Sequence, residues 1–155
     1  MTEKLPKVRR TFYTVAGKRL LDILLSGIAM ILLSPLLLLL SVLELIYHGR
    51  PILFEQERPG LHGEVFKLCK FRSMTNETDA EGNLLPEEQR ATKFGKFIRR
   101  TSLDELPELL CIFTGKMSII GPRPLLAKYL PLYTKRHMQR HEVRPGFACV
   151  PLKPV

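Results

Sequence analysis

Between Asp22 and Glu44 the chain carries no charged side chain, and this run constrains the rest. As one helix, Ile23 to Leu43 would be roughly 30 Å long at about 1.5 Å per residue, enough to cross a bilayer core. Basic residues precede it, as in a secretory signal. However, the run is longer than a signal core and lacks a small-x-small cleavage pattern. Ser34-Pro35 sits near its middle. Proline removes one backbone bond and clashes with the preceding turn, so a kink is expected there. In lipid the freed carbonyls need partners, and the Ser34 hydroxyl is a candidate. Two architectures follow: a kinked spanning helix, or a helix-break-helix that enters and leaves by one face. Arg9, Arg10, Lys18 and Arg19 precede the run, and Arg50 and Arg58 follow it. The heavier cluster favours a cytoplasmic N-terminus. The residues alone leave both architectures open.

Outside that run the chain is polar and basic. Its 155 residues suit one domain, and 24 Lys plus Arg against 15 Asp plus Glu give a formal charge of +9. With 45% hydrophobic residues and a mean hydropathy of +0.02, disorder and a multi-pass membrane protein are both excluded. The surplus charge must face phospholipid, a phosphorylated substrate or nucleic acid. Nucleic acid is disfavoured, because the charge is dispersed and no binding motif occurs. Cys69, Cys111 and Cys149 form no CxxC pair, which argues for reduced thiols rather than a zinc or dithiol site.

Residues 1–19 read as a basic, partly amphipathic lead suited to an anionic membrane surface. Residues 51–58 and 64–72 read as two strands of a hairpin, with Pro59-Gly60 and Gly63 supplying the turn. The acidic stretch 75–89 reads as a solvated loop, and 89–100 as a basic amphipathic helix. Leu103, Leu106, Leu110 and Phe113 have helical spacing, and Pro107 fits a first turn, so a helix is expected to start near 104–106. Asp104 and Glu105 would then lie at its N-terminus, where the dipole favours ionised carboxylates. Ser102 to Glu105 also fits a capping box, which would account for one acid without any catalysis. Gly121-Pro122-Arg123-Pro124 reads as a rigid turn able to fix a guanidinium on a phosphate. A further basic helix is expected over 129–144. Its His137 and His141 are four apart but lack a third ligand, and are read as solvent-facing.

The order of parts is specific. Lys18-Arg19-Leu20-Leu21-Asp22-Ile23 leads into the Ser34-Pro35 break, followed by Glu57-Arg58-Pro59-Gly60 and the segment Phe66 to Met74. Ser102-Leu103-Asp104-Glu105-Leu106-Pro107-Glu108-Leu109, Met117 to Pro124 and His141 to Gly146 complete the set. The chain from about Lys18 to Gly146 strongly resembles the bacterial sugar transferases known as monotopic phosphoglycosyl transferases.

The resemblance implies an α+β fold: a small cytosolic domain with a short β-hairpin and amphipathic helices, anchored by a re-entrant membrane helix broken at Ser34-Pro35. It divides the chain into lead and membrane helix (1–48), catalytic domain (49–146) and an atypical tail (147–155). It implies transfer of a sugar 1-phosphate from a UDP-sugar to membrane polyprenyl phosphate, an early step of exopolysaccharide, capsule, O-antigen or glycoprotein glycan assembly. Asp104 would be the covalent nucleophile, with Glu105 beside it binding metal or handling a proton. Mg²⁺ would be the cofactor, on Asp104 and Glu105. Arg123, Lys70, Arg72 and Arg144 would meet phosphate. The partners would be polyprenyl phosphate, a nucleotide-activated sugar and an anionic lipid membrane. The place would be the bacterial inner membrane, with the catalytic domain facing the cytoplasm. Residues 147–155 depart from the family pattern. The competing expectation is therefore a short, catalytically weak or inactive family member serving as a membrane-bound interaction module.

Overall fold

A computed structural model describes residues 11–149, so the lead before Thr11 and the end of the tail lie outside the described residues. The chain mixes helices with small sheets. After a π-helical turn at Tyr13–Gly17 come α1 (Lys18–Leu32) and α2 (Ser34–Tyr47). Strands β1 (Leu53–Pro59) and β2 (Val65–Phe71) form a two-stranded sheet. Then follow α3 (Glu87–Arg90), α4 (Lys93–Arg100), α5 (Glu108–Phe113), β3 (Ser118–Ile120), α6 (Lys135–Met138) and β4 (Gly146–Ala148).

The break in the apolar run falls where proline chemistry places it. Leu33 leaves helical geometry, Pro35 occupies the first turn of α2, and the two helices bend by 63°. The Ser34 hydroxyl donates to the Ile31 carbonyl at 2.7 Å, so it satisfies one carbonyl at the break. No single described helix is long and apolar enough to cross a membrane; the bent pair together meets only the length and composition for it. Many apolar side chains of the pair are exposed, among them Leu24, Ile28, Ile31, Leu32, Leu38 and Ile46.

The chain divides into two compact units of interleaved segments. One holds the residues through Met30, Glu57–Leu68 and those from Leu109 onward. Leu68, Cys111, Ile112 and Met117 form its core, with Phe66, Leu109, Ile119 and Phe147 packed around them. Here β3 and β4 pair in parallel, Ser118 opposite Gly146 and Ile120 opposite Ala148. Gly146 is required for space, since a Cβ there would lie 2.0 Å from the Gly121 nitrogen. The polar start of α1 is tied into the same unit. Asp22 Oδ1 accepts from the Ile119 N–H at 3.0 Å, and Lys18 donates to the Ser118 hydroxyl. Arg19 donates to the Ile112 and Phe113 carbonyls at 2.6 and 2.7 Å, capping the C-terminal end of α5 with a cation.

The second unit holds Ile31–Gln56 and Cys69–Glu108. Its core is Leu40, Phe71 and Ile98, flanked by Leu36, Leu37, Phe94, Leu103 and Leu106. Thr92 caps α4 by accepting from the Gly95 N–H at 2.8 Å. The acidic stretch is largely exposed, as expected, but it is ordered. Asp79 Oδ1 accepts from the N–H groups of Glu81 and Asn83, both at 2.9 Å, and isolated bridges join Met74 to Ala91 and Thr78 to Leu84.

Three local expectations are corrected. The helix expected over 89–100 starts at Lys93, because Ala91 and Thr92 are extended. Ser102 has φ +56 and makes no side-chain cap, so the capping box does not form. Asp104 and Glu105 occupy a 3₁₀ turn (Leu103–Glu105) before α5 rather than the helix itself. The expected 129–144 helix is instead a 3₁₀ turn (Ala127–Leu132) containing Pro131, then α6 capped by Thr134, then another 3₁₀ turn (Gln139–Glu142). Pro131 cannot continue an N–H ladder, and Tyr133 and Thr134 turn extended.

Candidate active site

Strand alternation delivers the first site residue. Phe71 is buried in the second unit's core, so its neighbour Lys70 leaves by the other face of β2. The acids arrive by a similar device. Leu103 and Leu106 pack on that core, and Asp104 and Glu105 lie between them in the turn. Lys70 Nζ donates to Glu105 Oε1 at 2.6 Å and lies 3.2 Å from Glu108 Oε1. The structure thus sets three carboxylates, Asp104, Glu105 and Glu108, around one lysine, with Glu108 buried.

Burial pushes the Asp104 carboxyl above the ordinary aspartate range. The Lys70 cation opposes that shift, the neighbouring Glu105 charge adds to it, and Arg99 weighs on the lowering side. Asp104 lies in the first turn of the 3₁₀ helix rather than of α5, and its own backbone N–H joins the side-chain cations in favouring the ionised form. Lys70 is the largest of these.

Arg72 is buried and clamps backbone: it donates to the carbonyls of His48 and Pro51 at 3.1 Å and of Met74 at 3.4 Å. Arg123 is exposed in the turn after β3, and its carbonyl accepts from Arg140 at 2.7 Å. Arg144 donates to the Gly115 carbonyl at 2.8 Å. Lys70, Arg72, Asp104 and Glu105 belong to one unit, Arg123 and Arg144 to the other. Ser34 and Pro35 lie at the α1–α2 break.

Two features escaped the sequence reading. Glu108 was legible in principle, since Asp104, Glu105 and Glu108 recur at helical intervals, but nothing in spacing announced a shared lysine. The other is a buried chain of hydrogen bonds. His48 Nδ1 is 2.8 Å from Glu44 Oε2 and His48 Nε2 is 2.8 Å from Thr92 Oγ1, with the His48 and Glu44 side chains fully buried. Thr92 already accepts from Gly95, and its own proton suits Nε2. With that proton directed at Nε2, His48 donates from Nδ1 to Glu44 Oε2, while the other Glu44 oxygen, Oε1, is buried without a hydrogen-bond partner among the described residues. The signal was the i, i+4 spacing of Glu44 and His48 at the end of an otherwise apolar helix.

His141 corrects another expectation. It is buried, its Nδ1 lies 3.0 Å from the Gly60 carbonyl, and its ring stacks on Tyr133. Burial lowers its pKa below the usual histidine value. His137 instead completes the Thr134 capping box. Among the described residues no three His, Cys, Asp or Glu side chains converge as a metal-binding group.

Comparison with known proteins gives this geometry its context. EpsL of Bacillus subtilis, described as a sugar transferase, is 50% identical over 129 residues, covering 83% of this chain and 64% of its own length. A UDP-glucose:undecaprenyl-phosphate glucose-1-phosphate transferase of Xanthomonas campestris is 42% identical over 146 residues, covering 90% of this chain and 30% of the relative. A UDP-N-acetylgalactosamine-undecaprenyl-phosphate N-acetylgalactosaminephosphotransferase of Aeromonas hydrophila is 38% identical over 136 residues, covering 84% and 32%. The chain therefore spans less than two thirds of each of these three. The family model for bacterial sugar transferases matches residues 13–151, nearly the whole chain, and the chain belongs to that family.

Proposed function

We propose that this chain carries the catalytic core of a membrane phosphoglycosyl transferase, moving a sugar 1-phosphate from a UDP-sugar to polyprenyl phosphate. The observation that carries this reading is the cluster of Asp104, Glu105 and Glu108 around Lys70. The Asp104 carboxylate attacks the phosphorus next to the sugar. The bond from that phosphorus to the bridging oxygen breaks, UMP leaves, and an aspartyl-phosphosugar remains on the protein. An oxygen of polyprenyl phosphate then attacks the same phosphorus. Asp104 is released and polyprenyl diphosphate sugar forms.

Each neighbour has a task in that sequence. Lys70 offsets the charge of the cluster, so that Asp104 can ionise despite burial. Glu105, bonded to Lys70, keeps that ammonium within the cluster and would help bind the metal or handle the acceptor's proton. Arg72, tied to three carbonyls, is a positioning residue for the segment leading out of α2. Arg123 and Arg144, which belong to the other unit, are proposed as phosphate-binding cations in their own right.

The donor set also fits Mg²⁺. Hard carboxylate oxygens are its preferred protein ligands, and one or two suffice where substrate phosphates and water complete the shell. Asp104 and Glu105 would hold it, and when bound it neutralises charge developing on the transferring phosphoryl group. The exposed apolar faces of α1 and α2 support a re-entrant anchor in the bacterial inner membrane, with the catalytic residues on the cytoplasmic side. An anchor of that kind holds the carboxylate at headgroup depth, where the acceptor phosphate lies. Glycan assembly for export is the setting, and glucose and N-acetylgalactosamine donors head the sugars to try. The test is UMP release from a panel of UDP-sugars by the purified chain in lipid nanodiscs with undecaprenyl phosphate and Mg²⁺. Release that needs both lipid and metal supports the reading. A folded protein that releases no UMP from any donor refutes it.

A further inference from the structure

Helix α2 presents two different faces. Leu36, Leu37, Leu40 and Glu44 turn into the unit's interior. Next to them around the helix, Ser41, Val42 and Leu45 line a surface groove of about 830 Å³, together with Arg50, Pro51, Ile52 and Leu53. That volume lies within the range of small-molecule sites. The walls are hydrocarbon apart from Ser41 and Arg50, and the Ser41 hydroxyl is already donated to the Leu37 carbonyl at 2.7 Å. Arg50 is exposed and has neither a hydrogen-bond nor an ion-pair partner among the described residues. A groove with apolar walls and one open guanidinium complements a ligand made of a hydrocarbon chain that ends in an anion.

The groove also has a fixed connection to the acid cluster. The Pro51 carbonyl accepts from Arg72 Nη1 at 3.1 Å, and the Ile52 carbonyl accepts from the Arg72 backbone N–H at 3.2 Å. Arg72 stands two residues beyond Lys70, which holds Glu105. The wall bearing Arg50 is thus hydrogen-bonded to the segment that carries the site's lysine.

We propose that this groove is the acceptor site: the first isoprene units of polyprenyl phosphate lie against Val42, Leu45, Ile52 and Leu53, and Arg50 meets the phosphate. The inference rests on the phosphoglycosyl-transfer reading above. Polyprenyl phosphate suits the groove better than a phospholipid because its phosphate is joined directly to the hydrocarbon chain. Charge and chain therefore meet at one point, as Arg50 and the apolar wall do here.

The test uses the full chain in nanodiscs of phosphatidylcholine and phosphatidylglycerol. The probe is a polyprenyl phosphate with a photoreactive diazirine in its first isoprene unit, and labelled sites are mapped by peptide mass spectrometry. Labelling is expected on the peptides bearing Val42, Leu45, Ile52 and Leu53, and it should be competed away by unlabelled undecaprenyl phosphate but not by added phosphatidylglycerol. Arg50→Gln should lower the yield roughly tenfold, as loss of a charge-assisted hydrogen bond does. Leu45→Trp, which fills the groove, should lower it similarly. Labelling that maps elsewhere, that survives Arg50→Gln, or that phosphatidylglycerol competes equally well overturns the proposal. So does crosslinking of the groove to a second copy of the chain in place of lipid. Formation of the sugar-phosphate adduct from UDP-sugar alone is measured on the unaltered chain in the same nanodiscs. Its absence would sink the transferase reading, whereas the labelling pattern judges the groove.

Discussion

Replacing Lys70 by methionine isolates what the cluster needs. The ammonium lies 2.6 Å from Glu105 and 3.2 Å from Glu108, with about a fifth of the Lys70 and Glu105 side chains exposed and only 6% of Glu108. At an effective dielectric near 20, the raw attractions are about 6 and about 5 kcal/mol. Desolvation of the ions offsets most of that, and breaking a fully buried pair costs about 3–5 kcal/mol. Discounting for the partial exposure here, Lys70→Met should lose about 2–3 kcal/mol at pH 7. The sign with pH follows from the charges left behind. Without the lysine, the Asp104 carboxyl, already raised by burial, loses the cation that opposes that shift, so its folded pKa rises further and stability is lost as pH rises through it. The deficit should therefore shrink at pH 5. Adding Glu108→Gln should recover part of it, since the buried charge is then absent from both states. Urea unfolding followed by circular dichroism at both pH values measures this. A loss below about 0.5 kcal/mol, or one equal at both pH values, would refute the reasoning.

Two further perturbations test the frame and one tests the nucleophile. Gly146→Ala should cost about 3 kcal/mol or more, because its methyl group would strike Gly121 backbone, and a melting temperature near wild type would contradict that packing. Pro35→Ala should straighten the break and push some molecules toward a spanning state, read as outside-in cysteine labelling of Asn83→Cys in intact cells. Asp104 has a pKa raised by burial, so its stabilising contribution exists below the unfolded value and disappears as pH rises through the folded one. Asp104→Asn should then be at least as stable as wild type at pH 7, and a stability loss there would show that the charge is well paired.

What the sequence disclosed tracks the range of the forces involved. The Ser34-Pro35 break and the hairpin were legible because proline sterics and turn chemistry act within a few residues. The α+β character was legible through the order of motifs, which also singled out the Asp104-Glu105 pair that the structure sets near Lys70. Ser102 misled because its pattern matches a capping box, while its backbone is left-handed and turns the hydroxyl from that task. His141 looked solvated because nothing local reveals the Gly60 carbonyl, 81 positions away, that buries with it. The parallel pairing of β3 with β4, each three residues long, depends on two glycines meeting across the fold. Periodicity cannot report such contacts, nor the lysine that the acids share.

The central claim, that Asp104 becomes covalently bonded to the sugar phosphate, is tested most directly by intact-protein mass after exposure to UDP-sugar and Mg²⁺ without acceptor lipid. Wild type should gain one sugar-phosphate, and the adduct should be discharged when polyprenyl phosphate is added. Asp104→Asn should gain nothing, while Glu105→Gln should still accumulate some adduct with turnover slowed by roughly 10²–10⁴-fold. An adduct that forms undiminished in Asp104→Asn would contradict the account and move the nucleophile to another residue.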